Sequence, residues 1–288
     1  MLFSQYLVIL RGGGDLATGV AYRLHQAGFP LIVLELSQPL VVRRKVALAT
    51  AVLENQITIE NLHAQRAESV AQALELAHSG KIPVLVAPEL SVISNQLAVI
   101  RRQSLITDYR PLITDHRIPI LIDARMAKRN IDTDIDQAGL VIALGPGFTA
   151  GVDCHAVIET MRGHTLGRVI WEGAAIPNTG TPGIVAGKGA ERVLRAPAAG
   201  KVNWQKEIGH FVQAGEVIGD VAGKTVTAPF AGVLRGLIAP GSEVPAGLKI
   251  GDLDARADVS ACFTISEKAL AIGGGVLEAI LTHLNQQT

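Results

Sequence analysis

The chain carries no excess charge of either sign: its 26 basic and 26 acidic residues cancel, and the pI is near 7.1. That balance excludes the electrostatic footprint of a nucleic-acid-binding surface. No apolar run approaches the roughly 20 residues a membrane span needs, although 48% of the residues are hydrophobic and the mean hydropathy is +0.32. The apolar excess is assigned to buried parallel strands and, if the chain forms a homo-oligomer, to a subunit interface. Met1–Leu10 has no basic n-region and no cleavage site, so no signal peptide is read. The two cysteines, Cys154 and Cys262, form neither a disulfide framework nor a CxxC pair, and a cytoplasmic location is the expectation. The eight histidines are scattered without zinc spacing. Asp132-x-Asp134-x-Asp136 lacks the glycine and glutamate of a calcium loop, having Gln137 and Ala143 there. No metal site is read.

At 288 residues the chain is long enough for two domains with cores. Short apolar runs at Tyr6–Leu10, Leu31–Leu36, Pro83–Ala87, Pro119–Asp123, Leu140–Leu144 and Arg168–Glu172 predict strands. Helical spacing marks Leu16–Ala27 (closed by Gly28), Val42–Leu53 and Ala67–His78. This alternation predicts a Rossmann-like α/β domain with a mostly parallel sheet over residues 1–188, including a Pro- and Gly-rich linker at 174–190.

Residues 189–256 then repeat with a period of 32: Ala196-Pro197 returns as Ala228-Pro229, Gly200 as Gly232, and Ile218-Gly219-Asp220 as Ile250-Gly251-Asp252. Neither half buries an apolar face alone, so two interlocking halves of a small all-β barrel-sandwich domain are expected. The layout resembles the biotinyl/lipoyl carrier domain. It departs from that pattern at Lys224, which lacks the flanking residues of a modified lysine and reads better as an ordinary turn residue. The segment 257–288 is expected to be helical and to return to the α/β domain, with Gly273-Gly274-Gly275 marking a turn or a close approach.

Two glycine-rich stretches after predicted strands carry the functional expectation. Gly12-Gly13-Gly14-Asp15-Leu16-Ala17 fits G-x-G-x-x-A, in which the glycines permit a tight turn and close approach of a phosphate. Glu35 falls where a ribose-binding acid belongs. A purely structural turn, with Asp15 capping its own helix, is the competing reading. Gly145-Pro146-Gly147-Phe148-Thr149-Ala150-Gly151 precedes Asp153, Cys154 and His155, which are expected in the first turns of a helix. There Cys154 is either an activated thiol, the one catalytic candidate, or a packed apolar group. Asp123, Arg125, Lys128 and Arg129 follow a strand at the end where open α/β sheets bind ligands, and Arg43 and Arg44 form a second basic cluster. With Gly145, Gly147, Thr149, Gly151 and Asp153, these residues form the expected cofactor site: two glycine turns meeting as a cradle of main-chain amides for an anion.

The stretches Arg11–Gly19, Pro39–Ala47, Ile122–Asn130, Gly145–Thr160 and Ala269–Glu278 together resemble the accessory proteins of the selenium-dependent molybdenum hydroxylase system. That family is distantly similar to the xanthine dehydrogenase accessory proteins. The resemblance implies a maturation role. The protein would bind the molybdenum (molybdopterin-type) cofactor, or aid its insertion or its activation with sulfur or selenium. Its partners would be a molybdenum hydroxylase client and other maturation proteins. An NAD(P)-dependent oxidoreductase using the N-terminal domain is the alternative.

Overall fold

The computed structural model describes residues 2–86, 90, 118–180, 183 and 187–287. Ala87 of the strand expected at Pro83–Ala87 lies outside them, as do residues 181, 182 and 184–186 of the expected linker. The chain divides into two compact units. The first comprises Met1–Pro39, Leu48–Asn178 and Ser266–Thr288, and the second Leu40–Ala47 and Thr179–Ile265. These bounds differ from contiguous domains at 1–188, 189–256 and 257–288. The second unit takes in an early segment, and its hold on the chain extends to Ile265.

The first unit is an α/β layer structure. Its strands are β1 (Val8–Arg11), β2 (Leu31–Glu35), β3 (Gln56–Ile59), β4 (Leu62–Ala67), β5 (Ile82–Val86), β6 (Ile118–Asp123), β7 (Ala138–Leu144), β8 (Thr149–Ala150), β9 (Ala156–Ile158), β10 (Val169–Ile170) and β11 (Gly173–Ala174). Nine of them form one sheet in the order β10-β9-β7-β6-β1-β2-β5-β4-β3. The seven from β4 to β9 in that order run parallel, and the edge strands β3 and β10 pair antiparallel. The central strands are apolar without alternation (Val-Ile-Leu-Arg in β1, every residue buried) because helices cover the parallel sheet. β1 pairs with β2 on one side and β6 on the other. The crossover direction reverses there, so the sheet has its topological switch point outside the carboxyl ends of β1 and β6.

Helix α1 (Asp15–Ala27) starts directly after the first glycine turn and stops at Gly28, whose φ of 89° is the left-handed cap that glycine adopts without strain. Helix α2 (Thr50–Glu54) is short, and α3 (Val70–His78) is capped by the Ser69 hydroxyl, which accepts from the Gln72 amide. Two expected helices are absent. Val42–Leu53 gives a 3-10 turn, Arg44–Val46, and then only α2. The segment holding Cys154 and His155 is a loop entering β9.

The C-terminal helix, Glu267–Asn285, runs through all three glycines without a break. A Cβ on Gly273 would overlap the Gly19 carbonyl of α1, and one on Gly275 would overlap the Gly167 carbonyl. A Cβ on Gly19 would in turn overlap Ala269. Gly273 and Gly275 exist because backbones meet there, while a Cβ on Gly274 would meet none of the described residues.

The second unit contains β12 (Val193–Arg195), β13 (Gly200–Trp204), β14 (Phe211–Val212), β15 (Val217–Val221), β16 (Lys224–Thr227), β17 (Gly232–Leu237), β18 (Glu243–Val244) and β19 (Lys249–Asp254). They make two four-stranded antiparallel sheets, β12-β19-β17-β14 and β16-β15-β13-β18. Shifting each strand by the repeat carries one sheet order onto the other, so each sheet mixes both halves. Val202, Ile218 and Val221 of one sheet and Val233, Leu253 and Ile250 of the other are fully buried in one core. A cavity of about 250 Å³ opens between β12 and β16, and repeat-equivalent pairs line it: Val193 with Thr225, Leu194 with Val226, Pro197 with Pro229. The Leu40–Ala47 segment completes this unit. Val42 occupies the space beside Gly236, and Arg44 donates to the Leu237 carbonyl at 3.2 Å and pairs with Glu207.

A Gly273→Val substitution drives side-chain atoms into the α1 backbone, and the helix pair has to separate or the chain fails to fold. A loss of about 3 kcal/mol or more is expected in urea unfolding. Gly274→Ala, one residue on, meets none of the described residues, and a gain of about 0.5–1 kcal/mol is expected from helix propensity alone.

Candidate functional site

Three loops leave the carboxyl ends of adjacent strands: residues 12–14 after β1, 124–134 after β6 and 145–155 after β7. The two glycine turns therefore lie along one edge, with the 124–134 loop between them. A Cβ on Gly12 (φ 92°) would sit 3.0 Å from the Arg125 Cα, and one on Gly147 (φ 104°) would sit 2.5 Å from the Arg129 Cα. The protein's own backbone fills the space that the glycines vacate.

The amides are engaged as well. The Gly12 N–H donates to the Leu34 carbonyl at 2.8 Å, and the Gly13 N–H donates to the Glu35 carboxylate at 2.8 Å. Gly145 donates to the Ile158 carbonyl and Gly151 to the Cys154 carbonyl. The Thr149 amide donates to Asp153 at 2.7 Å. These five amides are therefore not open to an anion. Gly14 is different: it precedes α1, and a side chain there would meet none of the described residues within 4 Å. Asp15 follows as the first residue of the helix.

A buried ionic network fixes the middle loop. Asp123, 1% exposed at the end of β6, accepts from the Arg125 guanidinium at 2.6 Å, from the Arg125 amide at 3.1 Å and from the Thr133 hydroxyl at 2.6 Å. The same Arg125 Nη2 donates to Asp132 at 2.7 Å, and the buried Arg11 donates to the other Asp132 oxygen at 2.7 Å. Burial works against the Asp132 charge, yet Arg11 and Arg125 hold its carboxyl below the usual range. Asn130 then donates to the Thr133 carbonyl at 2.7 Å and to Asp153 at 3.0 Å, tying the loop after β6 to the loop after β7. Asp123, Arg125 and Asp153, expected as ligand contacts, thus serve to shape the loops. Lys128, at a left-handed φ of 62°, and Arg129 are exposed on the turn this network supports.

Cys154 is fully buried and belongs to the core with Phe148, Ala150 and Val157. Burial, and then the neighbouring Asp153, push its thiol up to about 12. A thiol so placed stays neutral and out of reach at neutral pH, which removes the nucleophile or ligand role considered for it. His155 is turned to the sheet instead. Its Nδ1 accepts from the Val141 amide at 2.9 Å, and burial, followed by the ring of His283, keeps its pKa low.

Arg43 and Arg44 are components of the second unit. Arg43 donates to the Ala261 carbonyl at 2.9 Å, and Arg44 is held as described above. Their cluster at the start of an expected helix has its physical reason in this clamp.

Three residues that local sequence patterns did not mark stand at the same edge of the first unit. Glu159 is 2% exposed and accepts from the Met161 amide at 2.6 Å and the Ile176 amide at 2.8 Å. Arg162 pairs with Glu267 at 2.6 Å, and Lys268 lies in the first turn of the C-terminal helix. Burial, then Arg162, lower the Lys268 pKa, and Asp15 and Glu159 offset this only in part. Their proximity depends on the tail returning to this unit, which no local spacing announces.

The chain is similar to YqeB of Escherichia coli. It is 45% identical over 283 residues to this protein of strain K12, described as uncharacterized, and the match covers 98% of the chain and 49% of YqeB. The chain spans about half the length of this curated relative. No family model matches. A solved structure of an aspartoacylase family protein from Mesorhizobium loti aligns with 22% of this chain and 23% of its own, with a TM-score of 0.21 and 15% identity. That overlap is too small to bear on fold or function.

Asp123→Ala leaves Arg125 and the Thr133 hydroxyl without their buried acceptor, and a loss of about 3–5 kcal/mol is expected in denaturant unfolding. The histidines set a pH window. Burial holds the folded pKa of His155 and of His283 below 6.5. Their neutral forms therefore stabilise the fold fully above that value, and this stability declines as pH falls below it toward the folded pKa values. Melting temperature is expected to drop between about pH 7 and pH 5. His155→Asn, which keeps an acceptor but does not titrate, should flatten that slope.

Proposed function

We propose that this chain is an accessory protein that binds a phosphate-bearing cofactor of the molybdopterin type and serves the maturation of a molybdenum hydroxylase, aiding insertion or activation of that cofactor. The observation that carries the reading is where the family-like stretches fall. Four of the five, Arg11–Gly19, Ile122–Asn130, Gly145–Thr160 and Ala269–Glu278, are spread over more than 260 residues of sequence yet belong to the first unit, and three of them supply the loops at one sheet edge; the fifth, Pro39–Ala47, falls in the second unit but for Pro39. Ligands of open α/β sheets bind at that edge.

The residues fit the anionic end of such a cofactor and not a metal-bound thiolate. Lys128 and Arg129 are exposed there, and the open Gly14 start of α1 favours negative charge. The buried, neutral Cys154 does not suit a molybdenum ligand or a carrier of sulfur or selenium. The second unit, with its interlocked sheets and its exposed Lys224 beside the Ala222-Gly223 turn, supports a biotinyl/lipoyl-like barrel-sandwich reading. A cytoplasmic location, a hydroxylase client and further maturation proteins as partners follow from the same proposal. No helix among the described residues is long and apolar enough to cross a membrane.

The NAD(P)-dependent oxidoreductase reading has less support. Glu35, the acid placed for a ribose, already accepts from the Gly13 and Leu36 amides, each at 2.8 Å.

The test is retention. Protein purified from cells that make the cofactor is assayed for pterin by fluorescence after oxidation and for molybdenum by elemental analysis. Both are expected to co-purify with the full chain. Absence of both, with the cytidine dinucleotide form included, together with micromolar binding of NAD or NADP by calorimetry, would overturn the proposal in favour of the oxidoreductase.

A further inference from the structure

We propose that Lys268 and Lys128 form a phosphoryl-binding subsite at the carboxyl edge of the parallel sheet, with the C-terminal helix supplying the inner cation. This rests on the reading of the first unit as a binder of a phosphate-bearing ligand and adds the residues that take the charged group.

Contacts made by their sequence neighbours bring the two lysines to the same region. Arg162 reaches Glu267, the residue before Lys268, at 2.6 Å, which brings the segment after β9 against the first turn of the C-terminal helix. A Cβ on Gly145 would touch both Thr160 and, at 3.3 Å, the Met126 methyl, so the turn carrying Lys128 lies beside that same segment. The packing of Gly19 against Ala269 sets the start of α1 next to Lys268, because Asp15 lies one turn before Gly19 on the same helix face. Four chain segments thus converge on one spot.

The charges there are unevenly matched. Arg162 has Glu267, and both oxygens of Glu159 accept backbone amides. Among the described residues, no carboxylate pairs with Lys128 or with Lys268 within 4.0 Å. Lys268 is half-buried. Its partly desolvated ammonium is held near two other cations, Arg162 and Lys128, and the carboxylates of Asp15 and Glu159 compensate it only in part, so a further anion is favoured there. The Lys268 pKa below the lysine norm is consistent with that deficit. A phosphoryl group suits the arrangement. Two point charges from different segments fit its spread oxygens.

Calorimetry on the full chain with inorganic pyrophosphate and inorganic phosphate tests the subsite. Pyrophosphate is expected to bind, more weakly as salt rises. Lys268→Met and Lys128→Met should each weaken it by about tenfold or more, and Lys201→Met in the second unit should leave it unchanged. Thermal melting separates function from structure: Lys268→Met should melt at or above the wild-type temperature, whereas a lysine needed for folding would lower it. Equal binding by wild type and both variants, or equal weakening by Lys201→Met, overturns the subsite. The same variants enter the cofactor-retention assay. Full retention by Lys268→Met overturns the subsite and leaves the cofactor reading intact. Absence of retention by wild type, with pyrophosphate binding that still depends on Lys268, overturns the cofactor reading and leaves the subsite.

Discussion

The carboxylate of Asp123 is the fixed point of the first unit's functional edge. It ends a strand buried at every residue but Pro119, and it accepts from the Arg125 side chain and amide and from the Thr133 hydroxyl. Through Asp132 the same network takes in Arg11, at the end of the neighbouring strand. Two cations and two anions balance, so burial is tolerated, and the loop between the two glycine turns acquires one shape. The glycines then make sense as spacers: Gly12 and Gly147 lack side chains because that fixed loop passes against them.

The parallel sheet was legible in the sequence because a doubly covered strand is a short, unbroken apolar run. β1, β2, β6 and β7 have bounds within two residues of the runs that announced them. The repeat was legible for a different reason, since the Ala-Pro and Gly positions that start and turn strands recur at a fixed interval. The β3–β4 hairpin escaped notice, as Gln56–Ile59 is only four residues long and two of them are exposed. The segment after Gly151 read as a helix start because it follows a strand and a glycine-rich turn, but short turns and a bridge from Ala150 to Cys154 claim it instead.

The binding residues were harder to read than the fold. Sequence patterns identify residues able to hold an anion, not residues already engaged. Arg125 and Arg129 stand four apart in one basic run, yet one is bound into a network and the other is exposed. Arg43 and Arg44 looked like ligand contacts for the first unit and serve the second. Lys268 had no motif of its own. Its setting is created by the close crossing at Gly19 and Gly273, and a contact across some 250 residues leaves no trace in local spacing.

The segment Leu40–Ala47 has a consequence for anyone dissecting this molecule. Val42 and Arg44 are parts of the β-rich unit although they are encoded well over a hundred positions before its other strands. A fragment cut to the later stretch alone would expose the Gly236 backbone and strand Glu207 and the Leu237 carbonyl without their guanidinium. Excision therefore has to carry the early octapeptide along, through a linker or added in trans, and complementation by that peptide would behave as a ligand-dependent refolding reaction.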